Sequence, residues 1–297
     1  MTLDQLRIFV EVAALEHITR AAERLNMTQS AVSAAISALE TRHDIRLFDR
    51  VGRMIVLNQA GRSFLAEAQA VLNQARVAEA ALNDLSGLMR GRLSVMASQT
   101  VGSYWLPERL ALYRRRYPGI EIAVRIGNSV ETSHAVTAGE VEIGVIEWMS
   151  DAKELTKSVA DIDEMIVVVA PDHPWADGRP RRVENFPEID WVLREEGSGT
   201  RYAFERIITD GGVALESLKV PLIMPENEAV LGAVIAGMGA TLLSRSVVKA
   251  VLQSGQVRQL NMPAFPRPYY FLRHSQRYRS RAGEAFEALC REQTPAA

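Results

Sequence analysis

At 297 residues the chain holds about two domains of ordinary size, each able to bury a core. Its formal net charge of −2 argues against a basic nucleic-acid tail, although a near-neutral average leaves room for a small DNA-reading part joined to a larger sensor. One cysteine, Cys290, excludes an intrachain disulfide and a multi-cysteine metal site, and no stretch approaches the roughly 18 uncharged apolar residues of a membrane span.

After an opening amphipathic segment, LRIFVEVA, residues 18–50 (ITRAAERLNMTQSAVSAAISALETRHDIRLFDR) predict a helix, a short turn and a second helix. The first runs from about Thr19 to Leu25, with Thr19 as its N-cap and Ala21, Ala22 and Leu25 as a small inward face. Asn26 and Met27 interrupt the pattern, and Thr28 restarts it as a second N-cap after the short gap of a helix-turn-helix. Val32, Ile36 and Leu39 share one apolar stripe, so Ser30, Ala34, Ser37 and Thr41 face outward. An outer face without bulk, with Gln29, Ser30 and Ser33 at its N-terminal end, suits a helix lying in the major groove.

An alanine-rich helix pair of an ordinary bundle would read the same over these residues alone, and the next segment separates the two readings. LFDR closes the unit, and VGRMIVLNQAG offers two short extended runs around Gly52 and Arg53, a candidate β-wing whose arginine suits a minor groove. From Met1 to Arg62 eight arginines (7, 20, 24, 42, 46, 50, 53 and 62) face seven acids (4, 11, 16, 23, 40, 44 and 49), and no lysine precedes Lys153. Docking by arranged arginines is therefore expected, with modest affinity per half-site.

A helix follows from about Gln59 to Leu85. Phe64, Ala68, Val71, Ala75, Ala78, Leu82 and Leu85 are spaced alternately by three and four, a heptad seam for a coiled-coil-like dimer contact. The alternative is a helix packed on its own domain. Gly87 and Gly91 mark its end and a hinge.

Composition changes near residue 90: proline first appears at Pro107, and all four tryptophans (105, 148, 175 and 191) lie beyond residue 100. Strand-like runs LSVMAS, IEIAVRIG, EIGVIE, MIVVVA, DWVL, LKVPLIM and ATLLS are separated by helical stretches such as LPERLALYRRRYP and EAVLGAVIAG, which implies a mainly parallel sheet. Two of the strands lead into hydroxyl-bearing turns, Ser98-Gln99-Thr100 and Glu196-Gly197-Ser198-Gly199-Thr200-Arg201. One such turn is most often an ordinary N-cap. A pair from two subdomains would grip a small anion between helix N-termini.

No enzyme pattern competes. The GSGT turn lacks the lysine of a P-loop and is not G-x-S-x-G. His17, His43, His134, His173 and His274 lack ligand spacing, and the pairs Glu195-Glu196 and Glu140-Glu142 read as solvated, so neither catalysis, a metal nor a cofactor is expected.

LRIFVEVA, TRAAERLNMTQSAVSAAISALE, LFDR, the wing and the long helix occur in the order shown by the LysR-type transcriptional regulators, which the chain resembles over essentially its whole length. The resemblance implies an N-terminal all-α winged helix-turn-helix (1–58), a linker or dimerisation helix and hinge (59–90), and a C-terminal α/β effector domain (91–297). That domain would be similar to a periplasmic binding protein, with subdomain I at 91–161 and 267–297 and subdomain II at 162–266, joined by two crossing strands. By resemblance, Thr19, Thr28, Gln29, Ser30 and Ser33 contact phosphates or bases and Arg53 serves the wing. Where the family usually carries a long polar or cationic pair, this chain has Ala34 and Ala35. Base reading then leans on Gln29, Ser30 and Ser37, with the Ala34 methyl facing a thymine methyl and DNA shape supplying the rest.

The same mapping puts Ser98, Gln99, Thr100, Ser198, Gly199, Thr200 and Asn227 in an effector cleft, with Asn128 and Glu147 or Trp148 near its rim. GSGTR, RIGN and NEAVLGAV are similar to the branch governing carbon fixation and sulfur assimilation, which implies an inorganic oxyanion or a phosphorylated or carboxylated metabolite. Trp148 stands where that branch tends to have a small residue. The implied partners are double-stranded operator DNA, further copies of the chain as a homodimer and homotetramer, and RNA polymerase, with no membrane. No export signal is legible, so a cytoplasmic location is expected. A solute-binding protein would not need the helix-turn-helix, and an architectural DNA binder would not need an effector domain.

Overall fold

The computed structural model describes residues 1–51, 54–85, 91–148 and 152–293. The chain divides into two compact units, Met1–Leu82 and Asn83–Ala297. Among the described residues no helix is long and apolar enough to cross a membrane.

The first unit opens with α1 (Leu3–Leu15), started by a capping box between Thr2 and Gln5. It continues through α2 (Ile18–Leu25) and α3 (Gln29–His43). The cap of α2 is His17, whose Nδ1 accepts from the Arg20 N–H at 3.3 Å, and not Thr19, which lies one residue inside the helix. Thr28 caps α3 as expected, accepting from the Ala31 N–H at 3.2 Å. Strands β1 (Phe48–Val51) and β2 (Met54–Leu57) pair antiparallel as the wing, and α4 (Gln59–Leu85) follows.

Phe9 is the centre of the core, with its ring 5.6 Å from Phe48 and 5.0 Å from Phe64. Val32, Ile36 and Leu39 pack beside it, and Ala21 and Ala22 bring α2 close. Two acids tie the wing to the helices: Glu40 accepts from the Leu47 N–H at 2.7 Å and Glu16 from the Leu57 N–H at 2.8 Å. The heptad seam of α4 divides. Phe64 and Ala68 pack on their own domain, whereas Val71 and Leu82 are 42% and 68% exposed.

In the second unit β3 (Gly91–Ser98) leads through one π-helical turn, Val101–Trp105, into α5 (Leu106–Arg116). Then come β4 (Ile120–Gly127), α6 (Ser129–Ala138), β5 (Ile143–Ile146) and β6 (Leu155–Val169). The chain continues as β7 (Asp190–Arg194), α7 (Gly199–Asp210), β8 (Lys219–Met224), α8 (Asn227–Ile235), β9 (Thr241–Ser244) and α9 (Arg245–Gln253). It closes with β10 (Arg258–Gln259), β11 (Phe265–His274) and α10 (Arg281–Gln293).

One sheet runs β10-β6-β11-β5-β3-β4, with β9 also on β6, while β7 and β8 pair separately. Strands β3, β4 and β5 are parallel, but the sheet is not mainly parallel as expected, because β6 and β11 pair antiparallel with each other and with β5, β9 and β10. Strands β6 and β11 run antiparallel from Phe265↔Met165 to His274↔Leu155 and so pass through both halves of the unit. Each half has its own core: Trp105, Tyr113, Phe271 and Phe286 in one, Phe186, Trp191, Phe204 and Ile208 in the other. Only the MIVVVA end of β6 is apolar enough to be read from sequence, and Pro266 and Pro268 obscure β11.

Candidate functional site

On the first unit, Thr19, Gln29, Ser30, Ala34 and Ser37 are exposed and Ser33 is half-buried. The Thr28 and Ser30 hydroxyls lie 3.0 Å apart at the N-terminus of α3. A groove of about 1090 Å³ between α3 and the wing is lined by Gln29, Ser33, Ser37, Arg46, Arg50 and Met54, among others. Arg53 lies outside the described residues.

Of the seven acids up to Arg62, four are engaged within the unit, while Glu23, Asp44 and Asp49 stay exposed. Glu11 pairs with Arg24 at 3.0 Å and Asp4 with Arg7 at 3.5 Å, while Glu16 and Glu40 bind backbone N–H groups. Among the described residues Arg20, Arg42, Arg46 and Arg50 are exposed and form no salt bridge. Four guanidinia therefore remain available to phosphates on a unit whose formal charge is nearly zero.

In the second unit most of the expected cleft residues are engaged with one another or with neighbours, the Ser98 hydroxyl excepted. Thr100 Oγ1 accepts from Asn227 Nδ2 at 3.0 Å, and Asn227 Oδ1 accepts from Arg194 Nη1 at 2.6 Å. Gln99 Oε1 accepts from the Asn227 N–H at 2.8 Å, and its Nε2 donates to Glu228 at 3.2 Å. Tyr104 donates to the same carboxylate at 2.8 Å; burial and the Glu228 charge push its pKa up to about 12. Ser198 caps α7, accepting from the N–H groups of Thr200 and Arg201. Asn128 caps α6 in a box with Glu131. Ordinary capping thus accounts for those two residues, but not for Thr100, Thr200 or Asn227.

Thr200 Oγ1 accepts from Arg267 Nη1 at 3.1 Å, and Arg267 Nη2 donates to Asp163 at 2.5 Å. Asp163 also accepts from the Ser244 hydroxyl at 2.7 Å. Glu147 lies 3.8 Å from Arg267 and accepts from the Ser129 hydroxyl at 3.0 Å. Burial works against the Arg267 charge, but Glu147 and Asp163 outweigh it and hold the guanidinium pKa above its ordinary value. Among the described residues the Ser98 hydroxyl is buried without a hydrogen-bond partner. Trp148 stacks on Tyr202 with centroids 4.0 Å apart, and both line a cavity of about 630 Å³ with Lys157, Arg206 and Tyr270.

Sequence reasoning missed Arg267, Asp163, Arg194 and Ser129. The one local signal was an arginine set between two prolines, Pro266 and Pro268. Among the described residues no three His, Cys, Asp or Glu side chains converge on a metal position.

Residues 86–295 match the family described as LysR substrate binding domain, and residues 3–62 match bacterial regulatory helix-turn-helix protein, lysR family. An uncharacterized HTH-type transcriptional regulator, YeiE of Escherichia coli K12, is 35% identical over 98% of this chain and 97% of its own length. The RuBisCO operon transcriptional regulator of Allochromatium vinosum is 32% identical over 96% of this chain and 94% of its own. In structure the chain is similar to full-length CbnR complexed with its target DNA: the TM-score is 0.74 at 18% identity, over 98% of this chain and 99% of that one. This last likeness is one of fold.

Proposed function

The chain belongs to the LysR family of bacterial helix-turn-helix transcriptional regulators, and from that premise we propose that it binds a partly palindromic operator as a homotetramer, a dimer of dimers, under the control of a small anion held in its regulatory cleft. Gln29, Ser30 and Ser37 read bases, with Ala34 against a thymine methyl. Thr19, Thr28 and Ser33 position phosphates, and Arg53 enters a minor groove. The observations that carry the effector reading are two buried clusters, Thr100 with Asn227 and Arg194, and Thr200 with Arg267, each spanning the two halves. They gather hydroxyls, an amide and two guanidinia from both halves of the unit, the donor set a small oxyanion needs. Likeness to a RuBisCO operon regulator favours a phosphorylated or carboxylated metabolite over a bare inorganic ion.

Ligand binding changes how the two halves meet, hence how regulatory domains pack and how the operator bends in the cytoplasm before RNA polymerase. Such coupling requires the anion to prefer one arrangement. The test is genome-wide mapping of binding sites, followed by footprinting of one mapped operator with sulfate, inorganic phosphate and short phosphorylated carboxylates. At least one anion is expected to change the footprint, and Thr100→Ala and Thr200→Ala to abolish the change. Absence of any mapped site overturns the regulator reading. An identical footprint under every anion overturns the effector reading.

A further inference from the structure

Glu147 has the surroundings that the proposed cleft would offer a free anion. It follows β5, on the half of the unit that carries Thr100, and its side chain is 2% exposed. Its Oε1 lies 3.8 Å from Arg267, and its Oε2 accepts from the Ser129 hydroxyl at 3.0 Å. The same carboxylate presses on Gly199, the first residue of α7 in the other half. A Cβ there would lie 2.7 Å from Oε2 and 2.8 Å from the Ser129 Oγ, so only glycine lets the carboxylate approach. The N-terminus of α7 carries about half a positive charge. A cation, a hydroxyl donor and a helix N-terminus therefore converge on one buried carboxylate.

The charge count shows why an entering anion cannot simply join it. Arg267 already faces two buried carboxylates, Glu147 and Asp163, at 3.8 and 2.5 Å. A third negative group would sit beside them out of water, where like charges are strongly disfavoured. One of the three must leave. Asp163 is held by both Arg267 and Ser244, so Glu147, at the longer distance, is the group that gives way. The adjoining cavity gives a displaced carboxylate room beside Lys157 and beside Arg206, which pairs with the exposed Asp210 at 3.4 Å.

We infer that Glu147 is a built-in competitor for the effector anion: it bridges the two halves of the cleft, and the effector binds by displacing it from Arg267 and Gly199. This inference rests on the cleft reading above and deepens it. A tethered carboxylate competes at high effective concentration, so the wild-type protein answers only to an anion abundant enough, or with enough additional contacts, to displace it.

Calorimetric titration of full-length protein with inorganic phosphate tests this. Glu147→Gln keeps the side-chain shape and removes the charge, and it is expected to bind phosphate on the order of tenfold more tightly than wild type. Ser129→Ala leaves the charge but removes its hydroxyl donor, and it should give a smaller gain in the same direction. Both variants should lose the gain when Thr200→Ala is added. A merely structural role for Glu147 predicts equal or weaker binding in both, and that result overturns the inference. If Thr200→Ala weakens phosphate binding while Glu147→Gln and Ser129→Ala do not strengthen it, the competitor falls and the cleft reading stands. Phosphate binding indifferent to all three positions overturns both. No detectable phosphate binding by either Glu147→Gln or Ser129→Ala overturns the competitor, leaving the cleft to be judged by footprinting.

Discussion

Arg267 is the hub of one buried network in the proposed effector cleft. Its guanidinium bonds Thr200 and Asp163 and lies beside Glu147, all of them buried. Replacement by methionine would fill similar volume but leave two carboxylates in the interior without their cation. Removing one partner of a buried pair costs about 3–5 kcal/mol, far more than the loss of an exposed one. Denaturant unfolding of Arg267→Met should show a loss of that size, while Arg245→Met, whose partner Glu164 is exposed, should change stability by less than about 1 kcal/mol. Similar midpoints for the two variants would mean that the Arg267 network adds little. None of this was legible locally, because Arg267 and Asp163 are 104 positions apart and meet only when β6 and β11 pair. Thr100, Thr200 and Asn227 could be singled out because each stands at a strand-to-helix turn, a feature written in adjacent residues. Cys290 is settled at the same scale: burial pushes its thiol up to about 12, which keeps it protonated and poorly reactive at neutral pH.

Among elements, α4 shows how far periodicity carries. Its bounds were legible from the spacing of apolar residues, which is local, but the partner of each position was not. Phe64 and Ala68 are taken by the core around Phe9, which fits the alternative of a helix packed on its own domain. Val71 and Leu82 stay exposed on the same helix, in keeping with a seam that continues between chains. The two portions should respond oppositely to substitution. Glutamate at both Val71 and Leu82 should leave the unfolding of the head within about 0.5 kcal/mol of wild type per site, as exposed substitutions do. Light scattering should then show a smaller assembly. Phe9→Ala, by contrast, should cost about 3–5 kcal/mol through the cavity it leaves. An unchanged oligomer in the double glutamate variant would remove α4 from the dimer contact. The cap of α2 carries a smaller version of the same lesson: Thr19 has the better capping side chain, but the helix begins at Ile18, so the cap falls two residues earlier, on His17.

At the scale of the whole molecule the question is how a chain of net charge −2 holds DNA with sufficient strength. Pairing of Arg7 and Arg24 with acids leaves Arg20, Arg42, Arg46 and Arg50 for phosphates, among the described residues of the head. The outer face of α3 offers few long base-reading groups, since Ala34 is exposed where a long side chain would reach further. On the proposed reading one head would make few phosphate contacts and few base contacts, and neither term alone gives tight binding. Joining heads in one assembly turns the second docking event into an intramolecular one, worth about 10²–10⁴ in affinity without any new kind of contact. Full-length protein should accordingly bind a duplex with two half-sites 10²–10⁴-fold more tightly, on that same rough scale, than a duplex with one. Because each neutralised phosphate steepens the salt dependence by about 0.9, the plot of log affinity against log salt should be close to twice as steep for the two-site duplex. Inserting about five base pairs between the half-sites turns one of them to the opposite face of the helix, and should return both affinity and slope to single-site values. Equal affinity for one half-site and two would place recognition in the isolated helix and wing, and would require base contacts that the short side chains of α3 do not supply.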